Sequence, residues 1–270
     1  MQRKLNKIAK DTNLFLKRFI AKQKKTNLIV AMKYGLFSGG KKIRSKILID
    51  VGSLFKLDYK TLIIIGAAVE CIHAYSLIHD DLPCMDDDDY RRGRLSTHKK
   101  FDEAQAILAG NSLLTMAFNI LSQEANPLLV NLLSQLSGFE GLAGGQSLDI
   151  DITKKNVSHK MIDEIHELKT AKLFEFCTLA PFLVINDKAN ANTARKYGNL
   201  IGRSFQIIDD IIDQDQDEDN KNILNYMSKK DALTLCYEYK TKADTYLKRL
   251  FSKKNKLSEI FDYIINQAGN

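Results

Sequence analysis

Two stretches of this sequence crowd carboxylates into otherwise apolar surroundings. The first, HDDLPCMDDDDYRRGR (His79 to Arg94), carries Asp80, Asp81, Asp86, Asp87, Asp88 and Asp89, followed after Tyr90 by Arg91 and Arg92. Carboxylates this close raise one another's pKa and oppose helix formation unless cations neutralise them. The second, FQIIDDIIDQDQDED (Phe205 to Asp219), puts Asp209 and Asp213 one helical turn apart on the same face, with Asp210 beside them. Ile207, Ile208, Ile211 and Ile212 flank these aspartates and are expected to bury. A solvated acidic face would explain either stretch alone. Two such stretches embedded in apolar sequence need a compensating ligand, because buried charge is costly without one. Hard cations with oxygen ligands are the natural partners, and magnesium, which binds through a few carboxylates plus phosphate oxygens, is the usual one.

Other metal chemistries fit less well. Asp213, Asp215, Asp217 and Asp219 alternate like an EF-hand calcium loop, but Glu218 stands where glycine is needed and Leu224 where the bidentate glutamate belongs. A di-iron bundle would use Glu-x-x-His pairs, and the nearest element, Glu164 to Glu167 with His166, has the wrong order. Metal ions bridged by a phosphorylated substrate account for the surplus of aspartate. Cationic residues should then face the phosphate, and Arg91, Arg92 and the run GGKKIR (Gly39 to Arg44) supply them.

Long helices are the elements that must position these groups. The chain has 270 residues, 44% hydrophobic, with only three prolines and fourteen glycines. Leu, Ile, Lys, Ala and Asp dominate over Val and Thr, which favours helix over strand and predicts an all-α fold. Leu5, Ile8, Leu14, Phe15, Phe19 and Ile20 recur at near-helical spacing, predicting an outer helix with one buried face. Similar spacing predicts helices around 43–56, 60–81, 102–124, 128–148, 160–185, 191–213, 229–250 and 257–266. Asn126 and Pro127 read as an N-cap with proline at the first helical position, Gly39-Gly40 breaks the chain, and Pro181 should kink or end its helix. No linker or repeat interrupts the pattern, so a single domain over 1–270 is the economical reading.

Composition removes several function classes. The formal charge is +7, but the lysines are scattered rather than gathered with aromatics into a stripe, which argues against nucleic acid. Cys71, Cys84, Cys177 and Cys236 form no CxxC pair, so neither a disulfide framework nor a zinc site is indicated, and reduced cytoplasmic thiols fit. The basic start lacks an uninterrupted apolar core and a small-residue cleavage site. The run Leu62 to Val69 is soon followed by Glu70 and His73, short of the ~20 apolar residues that span a bilayer, so no integral membrane segment is expected.

Taken in order, GGKKIR, VECIHAYSLIHDDLPCMDDDDYRRGRLSTH, FDEAQAILAG, GGQSLD, HELKTAKLF and FQIIDDIID resemble the trans-prenyltransferases of the polyprenyl synthetase family, in particular its bacterial farnesyl diphosphate synthases, over residues 35–225. The resemblance implies one helical bundle of ten or more long helices around a central cavity, the isoprenoid synthase fold. It implies that Asp80, Asp81 and Asp86, with Asp209 and Asp213, ligate three magnesium ions, which manganese could replace, while Asp210 helps through water and Asp149 hydrogen-bonds metal-bound water. Arg91, Lys169 and Lys221 would hold the allylic diphosphate, dimethylallyl or geranyl diphosphate. Isopentenyl diphosphate would bind Lys41, Arg44, His73 and Arg92 without metal. The Lys169 carbonyl, the Thr170 hydroxyl and Gln206 would steady the allylic cation, and a homodimer is implied.

Tyr75 and Ser76 lie five and four residues before Asp80, where a bulky ring would floor the cavity and stop the product at fifteen carbons. Geranyl or geranylgeranyl diphosphate synthesis, or a non-catalytic partner subunit, are the alternatives, and the intact aspartates argue against the last. The plain alternative for Tyr75 is an ordinary core aromatic, and for His73 a core histidine satisfied by a carbonyl. Departures from the family pattern are Ser45 where proline is usual, Asn111 where aspartate is usual, and a short stretch between Asp213 and Lys221 that lacks the family's additional loop lysine. The chain ends NQAGN where relatives carry a basic tail.

Overall fold

A computed structural model describes residues 2–123, 126–152, 157–214, 221–253 and 255–269. These residues are almost wholly helical and carry one two-stranded hairpin. Two compact units divide the chain, Met1–Val130 and Asn131–Asn270. The acidic residues 215–219 of the calcium-loop alternative lie outside the described residues.

In the first unit, α1 (Gln2–Ala21), α2 (Asn27–Leu36), α3 (Ile43–Leu54) and α4 (Tyr59–Asp80) precede the hairpin β1 (Tyr90–Arg91) and β2 (Arg94–Leu95). A short α5 (Thr97–Lys100) and the long α6 (Glu103–Ser122) follow. Helix α4 is the centre of this unit and packs against α1, α2, α3 and α6. Its sequence is apolar on every side, from Leu62 and Ile65 to Ile72 and Ile78, as a helix surrounded by others requires. Asp58 starts it by accepting the Thr61 N–H at 3.0 Å. The buried stripe of α1 is Leu5, Ile8, Thr12, Leu16 and Ile20. Leu14, expected on that stripe, is exposed, because steps of three and four from Leu5 pass through 12 and 16.

By length and mean hydropathy alone, α4 and α6 are long and apolar enough to cross a membrane. In this fold α4 is a core helix, with 72% of its most apolar window buried within the protein, while 44% of that of α6 is buried.

Helix α7 (Pro127–Ser137) opens as expected, with Asn126 Oδ1 accepting the Leu128 N–H at 3.1 Å. The single helix expected over 128–148 is two helices, α7 and α8 (Leu142–Ile152), interrupted at 138–141 where Gly138 and Gly141 favour a turn. The second unit continues with α9 (His159–Ile165), a π-helical turn (His166–Ala171) and α10 (Lys172–Val184), then α11 (Lys188–Ile212), a 3₁₀ turn (Ile223–Asn225), α12 (Lys229–Leu250) and α13 (Glu259–Ile265). Pro181 sits inside the last turn of α10, which ends at Val184. Helix α11 is central here and packs against α10, α12, α13 and the π-helical turn. Ile207, Ile208 and Ile211 bury as expected, whereas Ile212, the last residue of α11, is exposed.

The π-helical turn is gripped from two sides by small residues. A Cβ on Gly145 of α8 would stand 2.3 Å from Lys169 N, and one on Gly202 of α11 would stand 2.4 Å from Ala171 Cα. Alanine at position 202 would gain ~1 kcal/mol of helix propensity. Forcing a methyl into backbone costs about 1–3 kcal/mol or more. Gly202→Ala is therefore expected to lower the urea midpoint of unfolding; a raised midpoint would contradict this packing.

Candidate functional site

The first acidic cluster is built by the end of α4 and the hairpin after it. Asp80 and Asp81 are buried at the helix terminus. The chain then folds back so that Asp86 N donates to Asp80 O at 2.9 Å, which returns Asp86 to the helix end. Tyr90 pairs with Leu95 and Arg91 with Arg94 around a two-residue turn, Arg92-Gly93, both at positive φ, the backbone twist that tight hairpins prefer. That hairpin delivers Arg91 to the aspartates. Its guanidinium lies 2.5 Å from Asp81 and 2.6 Å from Asp88. Burial lifts the Asp81 carboxyl above its ordinary value, with Arg91 opposing and Asp88 reinforcing the rise. Burial alone would lower Arg91, yet Asp81, Asp88 and Asp80 together leave it raised.

Two turns earlier on α4 lies a basic group. Burial, then Arg44, Arg92, Lys42 and Arg91, push His73 well below its ordinary value, which disfavours a charged ring among these four cations. Arg92 Nη1 donates to Gly39 O at 3.0 Å, tying the hairpin to the Gly39-Gly40 break, where both glycines have positive φ. The start of α3 is held from beneath by Glu70, which is buried in α4. Glu70 lies 3.3 Å from Lys42 Nζ and accepts the Ser45 N–H at 3.3 Å and the Ser45 hydroxyl at 2.8 Å. A proline at position 45 would have no N–H to give, so the departure at Ser45 adds two donors to Glu70. Lys41 is exposed beside this clamp, while Lys42 is buried.

Tyr75 is buried on α4, edge-on to His79 with ring centres 5.7 Å apart, and its hydroxyl is pushed up to about 12 by burial and Asp80. Ser76 is buried and donates to His73 O at 3.0 Å.

The second acidic cluster sits at the end of α11. Asp213 caps that helix through its N–H to Asp209 O at 2.9 Å. Asp210 is buried and satisfied by protein donors. Its Oδ1 accepts from Gln206 Nε2 at 3.0 Å, its Oδ2 accepts the Ile223 N–H at 2.9 Å, and His166 Nε2 lies 3.2 Å from Oδ2. The π-helical turn presents Lys169 and Thr170 beside it. Thr170 Oγ1 donates to Gln206 Oε1 at 2.7 Å, and Lys169 Nζ donates to Asp149 Oδ2 at 2.6 Å. Lys221 Nζ lies 3.5 Å from the other oxygen of Asp149.

Each unit thus brings together its own share of the expected residues. The first unit joins Asp80, Asp81 and Asp86 with Arg91, and His73 with Arg44 and Arg92; the second joins Asp149, Lys169 and Lys221, and Thr170, Gln206 and Asp210. The carboxylate sets are hard oxygen donors, the chemistry that divalent cations carrying phosphate oxygens require. Asp87, Asp89 and His98 also come within 4.8 Å of one another, close enough to share a cation, although Lys99 already sits 2.8 Å from Asp89. Sequence reading missed Glu70, His166 and Asn222. Glu70 could have been found as an acid in the middle of an apolar helix; His166 and Asn222 carry no such signal.

A family model described as Polyprenyl synthetase matches residues 25–268. Farnesyl diphosphate synthase of Escherichia coli is 42% identical over 221 residues, which cover 77% of this chain and 74% of that protein. The Bacillus subtilis farnesyl diphosphate synthase is 43% identical over 198 residues, covering 70% of this chain and 67% of that one. Among solved structures, an apo FPP/GFPP synthase from Zymomonas mobilis aligns with a TM-score of 0.87 at 33% identity, covering 98% of this chain and all of that one at 100%.

Removing one partner of a buried ion pair costs about 3–5 kcal/mol, because the other charge is left uncompensated. Glu70→Ala is expected to lose stability on that scale by denaturant unfolding, since Lys42 and Glu70 are 6% and 2% exposed. A loss below ~1 kcal/mol, the size of an exposed pair, would mean that Glu70 does not hold the Lys42 ammonium.

Proposed function

Because this chain belongs to the polyprenyl synthetase family, we propose that it condenses isopentenyl diphosphate with dimethylallyl and geranyl diphosphate to make farnesyl diphosphate. The observation that carries this reading is the fold-back joining Asp86 to Asp80 at 2.9 Å, with Arg91 at 2.5 Å from Asp81 beside it. A single domain over 1–270 serves the reaction, consistent with a family match that runs through both compact units.

Asp80, Asp81 and Asp86, with Asp209 and Asp213, are the ligands for three magnesium ions on the allylic diphosphate. When bound, the ions supply Lewis-acid withdrawal of charge from the leaving group. Arg91, Lys169 and Lys221 bind the same diphosphate as fixed cations. Arg91 and Lys169 are already placed, since Asp81 and Asp149 hold them at 2.5 and 2.6 Å until substrate arrives. Lys41, Arg44, His73 and Arg92 bind isopentenyl diphosphate. A neutral His73 donates a hydrogen bond there without adding to the crowding of positive charge.

Ionisation of the allylic carbon–oxygen bond leaves a carbocation. The Thr170 hydroxyl oxygen, the Gln206 side chain and the Lys169 carbonyl stabilise it as preorganised dipoles, and their mutual bonding at 2.7 Å fixes two of them before substrate binds. The isopentenyl double bond then attacks, and the proton leaves to the departing diphosphate. Tyr75, buried beside Asp80, is the floor that ends growth at fifteen carbons. The working unit is a cytoplasmic homodimer.

Purified protein with magnesium is expected to convert isopentenyl and geranyl diphosphates to a fifteen-carbon product, read by chromatography, and Tyr75→Ala to lengthen it. A twenty-carbon main product from the unaltered protein would refute the floor. Asp80→Ala and Asp209→Ala should each lower turnover by about 10³-fold or more, since several kcal/mol of Lewis-acid stabilisation converts at about 1.4 kcal/mol per factor of ten. Near-normal turnover in either variant would refute the ligand assignment.

A further inference from the structure

Asp210 is held by three separate pieces of the second unit. From the π-helical turn, His166 Nε2 comes to 3.2 Å of Oδ2. From the segment after the second acidic cluster, the Ile223 N–H donates to Oδ2 at 2.9 Å, and Asn222 Nδ2 donates to the Asp210 backbone carbonyl at 2.7 Å. From its own helix, Gln206 Nε2 donates to Oδ1 at 3.0 Å. Asn222 is itself 7% exposed, and its Oδ1 accepts the Leu224 N–H at 2.9 Å, so both ends of its amide are used.

The residue before Asn222 is Lys221, and its ammonium lies 3.5 Å from Asp149 Oδ1, while Lys169 takes Asp149 Oδ2 at 2.6 Å. One buried carboxylate therefore holds two ammonium groups, from elements far apart in sequence, where each can exchange that carboxylate for a diphosphate. Lys169 is set by the π-helical turn. Lys221 has no long helix of its own, since it precedes a 3₁₀ turn of three residues, Ile223–Asn225. A lysine placed only by a flexible stem pays side-chain and backbone entropy on binding. Anchoring the next two residues to the second aspartate removes much of that cost.

We infer that Asn222 and His166 are positioning residues for the allylic diphosphate: by gripping Asp210 they fix the segment that carries Lys221, so that Lys221 and Lys169 form a two-lysine clamp on the leaving group. The inference rests on the prenyltransferase reading for its substrate. It gives the second aspartate of the cluster a task distinct from metal ligation, because its carboxylate is occupied by protein donors. It also explains how a chain with only the seven residues 214–220 between Asp213 and Lys221 keeps a lysine at this site.

The test is a mutant cycle read in two ways. Steady-state kinetics of Asn222→Ala, His166→Ala, Lys221→Ala and the two doubles with Lys221→Ala give KM for geranyl and isopentenyl diphosphates, and calorimetry gives the affinity of each variant for inorganic diphosphate with magnesium. Loss of a buried hydrogen bond should weaken geranyl diphosphate and inorganic diphosphate by about tenfold in each single variant, with KM for isopentenyl diphosphate unchanged. Each double should be no worse than Lys221→Ala alone, since the positioning variants act through that lysine. Multiplying effects in the doubles, equal losses for both substrates, or unaltered diphosphate affinity in both positioning variants would overturn the inference. Should the unaltered protein show no turnover, the prenyltransferase reading fails, while the calorimetric cycle still decides whether His166 and Asn222 act through Lys221.

Discussion

A buried carboxylate is tolerable only when a cation or several donors meet it, and much of this structure is organised around four of them. Glu70 meets Lys42 and Ser45, Asp81 meets Arg91, Asp149 meets Lys169 and Lys221, and Asp210 meets His166, Gln206 and a backbone N–H. In low dielectric the penalty for leaving such a group unpaired exceeds the worth of any single surface interaction in the protein. Each pair therefore fixes the backbone on both sides of it. It also stores, beside each acidic cluster, the cations that a diphosphate would need.

Two irregularities of backbone make the pairs possible. The Arg92-Gly93 hairpin turn reverses the chain so that Arg91 faces the end of α4, and Arg92 reaches Gly39. The π-helical turn His166–Ala171 changes the facing of successive side chains, so that His166, Lys169 and Thr170 all address the α8 and α11 sides of one unit. Glycines at 145 and 202 let those helices close on it. Local departures of this kind concentrate at functional sites, where they re-aim side chains that a regular element would spread around its axis.

Much of this was legible in the sequence, and the rest was hidden for physical reasons. Helix type and placement followed from apolar spacing, and the Asn126-Pro127 start from capping chemistry. The acidic and basic residues of the site stood out because charge in apolar sequence demands a partner. The split of 128–148 into two helices was missed because Gly138 and Gly141 are weak punctuation in an apolar run. Ile212 was assigned to the core although a helix end exposes its last residue. Leu14 was placed on the buried face of α1 because its hydrophobicity outweighed its angular position. The links through Glu70, His166 and Asn222 join residues from 12 to 44 positions apart or depend on backbone geometry, neither of which leaves a pattern in neighbouring residues.

The central claim is that each carboxylate cluster, with the cations beside it, is built for a divalent cation together with a diphosphate. The most direct measurement is the thermal midpoint of the protein with magnesium alone, with inorganic diphosphate alone, and with both. Ligand that binds only the folded state raises the midpoint in proportion to the logarithm of its concentration over its Kd. The account predicts a small rise with either component and a much larger, more than additive rise with both. A full rise with diphosphate alone, or no further rise when magnesium is added to it, would contradict the claim.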